Sequence, residues 1–160
     1  MGIKNTFYVV TCISFSVILG AGIYEHVAVW PNVYAAPPQS LTMLQGSYGL
    51  ASGPFWMSIH PVTLLLFFTA LVLNWKSERR IHILIPLVIY IMILAITATY
   101  FVPELMSINS TPYAETIDAD LQKRGSTWIT LSLIRGAVLV VIDFILILGL
   151  TRSAYRISKT

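Results

Sequence analysis

Glu25, His26, His60, Glu104 and Arg135 are out of keeping with their surroundings in this chain. Each lies inside or at the edge of a long apolar stretch. An ionisable side chain there costs roughly 3 kcal/mol or more and marks a functional-site candidate by default. Glu25, His26, His60 and Glu104 supply two imidazoles and two carboxylates, a donor set suited to a transition metal such as iron, copper, zinc or manganese. No pair of them stands at the HExxH or ExxH spacing of helical metal sites. The same residues also fit a metal-free pocket, where Arg135 pairs with Glu25 or Glu104 and a histidine acts as general base. A third reading is ion pairs that fix helix register and do nothing more. The catalytic candidates are therefore Glu25, His60 and Arg135. Trp128 and Tyr100 are the aromatic residues placed to touch a cofactor or ligand.

These residues must be positioned by helices in lipid. The chain of 160 residues is 56% hydrophobic and 11% charged, with a mean hydropathy of +0.77. Soluble domains carry about 25% charged residues. A bilayer-spanning helix needs about 20 mainly apolar residues. Four stretches qualify, at about 6–30, 54–75, 81–102 and 126–150. The expected fold is all-α, a four-helix transmembrane bundle forming one integral membrane domain over residues 1–160. The net charge of +3 comes from short clusters, which argues against a nucleic-acid surface. Cys12, the single cysteine, reads as a small core residue.

The basic clusters set the sides. Lys4, the link with Lys76, Arg79 and Arg80, and the tail with Arg152, Arg156 and Lys159 would share one face. Lys123 and Arg124 stand alone on the other. The positive-inside rule then puts both termini in the cytoplasm and the two long loops, 31–53 and 103–125, on the extracytoplasmic side. The first loop has no charged residue, which suits a lid over the bundle mouth or a segment resting among headgroups. With a rise of about 1.5 Å per residue, Glu25, His26, His60 and Glu104 all fall in the outer half. Arg135 lies about 14 Å into helix 4 and can reach the same level. His60 precedes Pro61, so helix 2 is expected to be irregular there, or to begin there. Asp143 lies deep near the opposite end, with Ser14, Ser16 or Tyr90 as expected partners. Trp30, Trp56, Trp75 and Trp128 fall at helix ends, where an aromatic belt explains them; Trp128 could also stack over a pocket.

The Gly-rich end of helix 1 running to Pro31, the Pro103-Glu104 pair after helix 3, and Trp128 followed by Arg135 together resemble a family of small four-helix membrane proteins. This is the DUF1772 group, which includes anthrone oxygenase-like proteins. Leu131-Ser132-Leu133 stands where that pattern leads one to expect a polar amide. The resemblance implies a small membrane oxygenase or related oxidoreductase acting on a hydrophobic or aromatic substrate. The alternative is a non-enzymatic membrane protein that binds a lipid, haem or metal, or a subunit of a larger complex. The expected partners are the lipid bilayer and a hydrophobic small molecule, with a homo-oligomer left open.

Overall fold

A computed structural model describes residues 2–154. Among them the regular structure is entirely helical. Four helices are long and apolar enough to cross a membrane: α1 (Ile3–Val33), α2 (Gly53–Leu73), α3 (Arg80–Asn109) and α4 (Ala119–Thr151). Large apolar side chains cover their outer surfaces, including Val27, Leu65 and Val72, at 76%, 68% and 74% exposure. Water would penalise such a surface, whereas lipid is its natural solvent.

Helix α1 packs against α2 and α4, and α3 against α4 and α2. Two cores fill the interior. One runs from the terminal end to mid-bundle around Tyr8, Phe15, Phe67, Tyr90, Ile142 and Leu146. The other sits at the loop end around Trp30, Tyr34, Leu41, Phe101, Ile108 and Trp128. Hydroxyls tie the helices together. Ser14 meets Thr63 at 2.7 Å, the Tyr8 hydroxyl donates to Leu146 O at 2.7 Å, and Ser16 donates to Asp143 at 3.1 Å. An interhelical bond of this kind in lipid contributes about 0.6 kcal/mol. At the terminal end Arg79 is buried, donating to Asn5 Oδ1 and to the carbonyls of Leu150 and Arg152. It anchors the short link as well as adding to the basic cluster.

The helix limits differ from expectation in three places. Helix α3 runs past Pro103 and Glu104 to Asn109. Helix α4 starts at Ala119, because Asp118 caps it by accepting from the N–H groups of Asp120 and Leu121. Helix α2 begins at Gly53 and carries His60-Pro61 inside it, so Pro61 neither starts nor ends the helix. The first loop is no loose cover. It contains a 3-10 turn, Gln39–Met43, and buries Leu41 completely. It is stitched to the second loop by Asp118 N–H to Pro37 O at 2.9 Å and by Gln45 Nε2 to Asn109 O at 2.7 Å.

Two turns of the bundle are wider than an α-helix. Glu25–Val29 in α1 and Thr97–Phe101 in α3 are π-helical. Each is closed by the residue before a proline: Trp30 N–H donates to Glu25 O ahead of Pro31, and Val102 N–H to Thr97 O ahead of Pro103. Proline lacks an N–H and crowds the preceding turn, which favours such a register change. Proline alone does not require it, since Pro61 and Pro86 lie in uninterrupted α-helix. Single π turns are frequent at functional sites. Here one carries Glu25 and His26, and the other Thr97, Tyr100 and Phe101.

Candidate functional site

The two wide turns frame a polar layer toward the loop end of the bundle. Glu25 is fixed from α2, where the Trp56 indole N–H donates to its Oε1 at 3.0 Å. One turn further along α2, His60 stacks on Trp56, with ring centroids 5.4 Å apart and planes 20° apart. His60 Nδ1 shares a 2.6 Å hydrogen bond with the hydroxyl of Tyr90 on α3. Carboxylate, indole, imidazole and phenol thus form one continuous line across three helices.

Arg135 comes in from α4. Its guanidinium donates to Thr97 Oγ1 at 2.9 Å and to Ser132 Oγ at 2.7 Å, and lies over the Phe101 ring at 4.1 Å. Thr97 and Phe101 both belong to the wide turn of α3. Among the described residues no carboxylate pairs with Arg135 directly; the ion pair found there joins Arg124 Nε to Glu104 Oε1 at 2.8 Å. The expected pairing of Arg135 with Glu25 or Glu104 is therefore replaced. Two hydroxyls and an aromatic face hold the cation, and Glu104 is engaged by Arg124.

His26 takes a separate position. Its Nδ1–H donates to Gly22 O at 2.7 Å, and its Nε2 is buried without a partner among the described residues. Its ring lies nearly parallel to that of Trp128, with centroids 6.5 Å apart. Trp30 and Tyr34 follow at successive turns and also meet Trp128, at 4.8 and 6.3 Å. Among the described residues the indole N–H of Trp30 and the hydroxyl of Tyr34 are likewise buried without partners. Buried polar atoms of this kind are normally satisfied by protein or water. Burial pushes the Tyr34 phenol well above its usual range, with the nearby Glu104 carboxylate acting in the same direction. Tyr34 therefore stays neutral, as both donor and acceptor.

The structure brings Glu25, His60 and Arg135 to one layer and places Glu104 outside it. The two aromatic candidates differ. Trp128 is buried at 4% exposure and donates its N–H to Phe101 O at 2.9 Å, whereas Tyr100 is 39% exposed, its ring edge-on to Phe101. Trp75 is exposed, whereas Trp30 and Trp128 face inward as part of the loop-end core rather than outward to a belt. As possible ligands, the first atoms of each group are committed: Glu25 to Trp56, His60 to Tyr90, His26 to Gly22 and Glu104 to Arg124. Among the described residues no three His, Cys, Asp or Glu side chains come together as a metal-binding group. The donor set drawn from the sequence therefore does not assemble here as one centre. Asp143 finds Ser16 among its three expected partners.

Several site residues were not singled out from the sequence as members of this layer. Trp56 was assigned to the belt, yet it stands four residues before His60, the spacing that stacks two rings on one helix face. Thr97 and Ser132 hold the guanidinium, Thr97 from a separate helix and Ser132 from one turn before Arg135. Phe101 carried no distinguishing signal. Compared with known proteins, the chain matches no family model, no curated protein and no solved structure.

Proposed function

We propose that the chain is a small integral membrane enzyme acting on a hydrophobic, aromatic substrate that carries an ionisable oxygen. The single observation behind this reading is Arg135, a guanidinium inside an apolar bundle whose direct partners are Thr97, Ser132 and the Phe101 ring. A cation held by neutral groups in a low-dielectric setting favours an incoming anion. The oxygen of a phenol or enol meets that requirement once its proton has left. Glu25 and His60 are the acceptors at hand: the O–H bond breaks, the proton goes to the carboxylate or imidazole, and the anion is held by Arg135. Trp56 and Tyr90 keep the two bases oriented. The reaction class implied by the sequence resemblance is oxygenation or a related oxidation, with dioxygen as the oxidant.

The test uses purified protein in lipid nanodiscs. Naphthols and hydroxyanthracenes are titrated in, and the phenolate absorption band is followed together with oxygen uptake. The expected result is a phenolate band at a pH where the free compound is protonated, lost in Arg135→Gln. Absence of both the band and oxygen uptake across the panel would overturn the reading.

A further inference from the structure

The two cores of the bundle do not meet. The buried residues of α1 stop at Ile18 and resume at Trp30, and nothing between them is buried. The same break covers 53–62 in α2, 94–100 in α3 and 133–141 in α4. These breaks fall at one level, that of Glu25, His60, Thr97 and Arg135. Neither wide turn packs its backbone closely on another helix.

The glycines at this level border unfilled space. Gly22 lies about two turns beyond Phe15, a fully buried core residue, and so faces into the bundle. A Cβ there would find no atom within 4 Å. On α4, Gly125, Gly136 and Asp143 stand about three and two turns apart, on the face turned to α1. Gly125 is closed off by the Tyr34 ring, and Asp143 by the Ser16 hydroxyl. Gly136 lies between them, and its Cβ position again has no atom within 4 Å. The same holds for Gly20, one turn after Ser16 on α1. The seam between α1 and α4 is therefore shut above and below and open at Gly136, beside the interior space at Gly22.

The adjoining charge decides the occupant. Arg135 precedes Gly136, and its guanidinium has hydroxyl and aromatic partners but, among the described residues, no carboxylate. An acyl chain would fill the gap and leave that charge unanswered. A flat aromatic body bearing an oxygen anion uses both. Carbon atoms pack at about 3.5–4.0 Å, so a ring edge can take the place of either absent Cβ.

We propose, on the reading of Arg135 as the anion-holding group, that the substrate enters from the bilayer through the α1–α4 seam and rests its ring body over Gly22 and Gly136. These two glycines then limit the size of substrate that reaches Arg135.

The experiment reads binding and ionisation separately in nanodiscs, for phenol, 2-naphthol and 2-hydroxyanthracene. Equilibrium dialysis against empty nanodiscs reports binding, and the phenolate band reports ionisation. Wild type is expected to bind all three. Gly22→Leu and Gly136→Leu should weaken hydroxyanthracene binding roughly tenfold or more by crowding, with phenol changed by less than about twofold. Gly22→Ala and Gly136→Ala should not lower Tm, since the added methyl meets nothing. In a background lacking Cys12, Gly136→Cys should react with N-ethylmaleimide, and hydroxyanthracene should slow that reaction. Size-graded binding with no phenolate band would uphold the glycine-lined space and sink the anion chemistry. A phenolate band with equal affinities in wild type and both leucine variants would do the reverse. Labelling that hydroxyanthracene does not slow would leave the seam to an acyl chain and overturn the proposal, as would no binding of any of the three compounds.

Discussion

The indole N–H of Trp56 donates to Glu25 Oε1 at 3.0 Å, joining α2 to the wide turn of α1. Trp56 also carries the His60 ring on its face. One side chain therefore orients both proposed bases. Trp56→Phe keeps an aromatic surface for His60 and removes the donor. Hydrogen bonds to charged groups contribute about 1.5–3 kcal/mol. The variant should fold, bind substrate and lose turnover by tenfold or more by that measure. Steady-state kinetics in nanodiscs check this; an unchanged kcat would remove Glu25 from the chemistry.

Arg135→Lys should retain the fold and lose most substrate affinity. A guanidinium reaches Thr97 and Ser132 with two separate N–H groups while lying flat on Phe101. An ammonium is a point charge and cannot do all three. Lower affinity in Arg135→Lys with near-normal thermal stability is the expected pattern. Equal losses of stability and affinity would point to a structural cation.

Glu104→Gln separates two views of that carboxylate. Its observed partner is Arg124, which also reaches Ser107, and the pair is partly exposed. Such pairs contribute roughly 0.2–1 kcal/mol. The variant should show a slightly lower Tm with activity and any metal content unchanged. A loss of bound metal, read by elemental analysis, would return Glu104 to the site.

Gly125→Ala should destabilise the loop end by about 1–3 kcal/mol through overpacking. A Cβ there would run into the ring of Tyr34. Gly136 on the same helix has open space around its Cβ position, so Gly136→Ala serves as the neutral control. Thermal unfolding in one detergent distinguishes them, and similar Tm values would count against the packing described at Tyr34.

Hydrophobic run length made the four helices legible, because a spanning segment must be about 20 residues long whatever its neighbours. Helix ends were less legible. Pro103 reads as a stop, yet the wide turn before it lets α3 continue to Asn109. Glu25, His60 and Arg135 were found by their cost in lipid, a local property. Their partners were not, because Trp56–Glu25 and Thr97–Arg135 join separate helices, and helix phase decides which residues meet. Glu104 shows the limit: its depth matched the site, but Arg124 on α4 was nearer.

Sidedness is an expectation drawn from charge alone and can be checked directly. Ser40 and Glu115 lie in loops stitched together at one end, whereas Glu78 lies in the short link at the other. Single cysteines at 40 and 115, in a background lacking Cys12, should label from outside intact cells, and one at 78 should not. Reversed labelling would place the polar layer in the inner half of the membrane.

Each wide turn contains one residue more than an α-turn, which resets the angular phase of everything beyond it by about 100°. Beyond Val29 lie Trp30 and Tyr34, and beyond Phe101 lies Ile108, all part of the loop-end core. The loop-end packing is thus clocked separately from the packing below. Tightening Glu25–Val29 to α-helix with all its residues kept would swing Trp30 away from Trp128 by about 100°, whereas removing Val27 as well would bring it back. The aromatic layer takes its azimuth from that one turn, and the lower bundle does not.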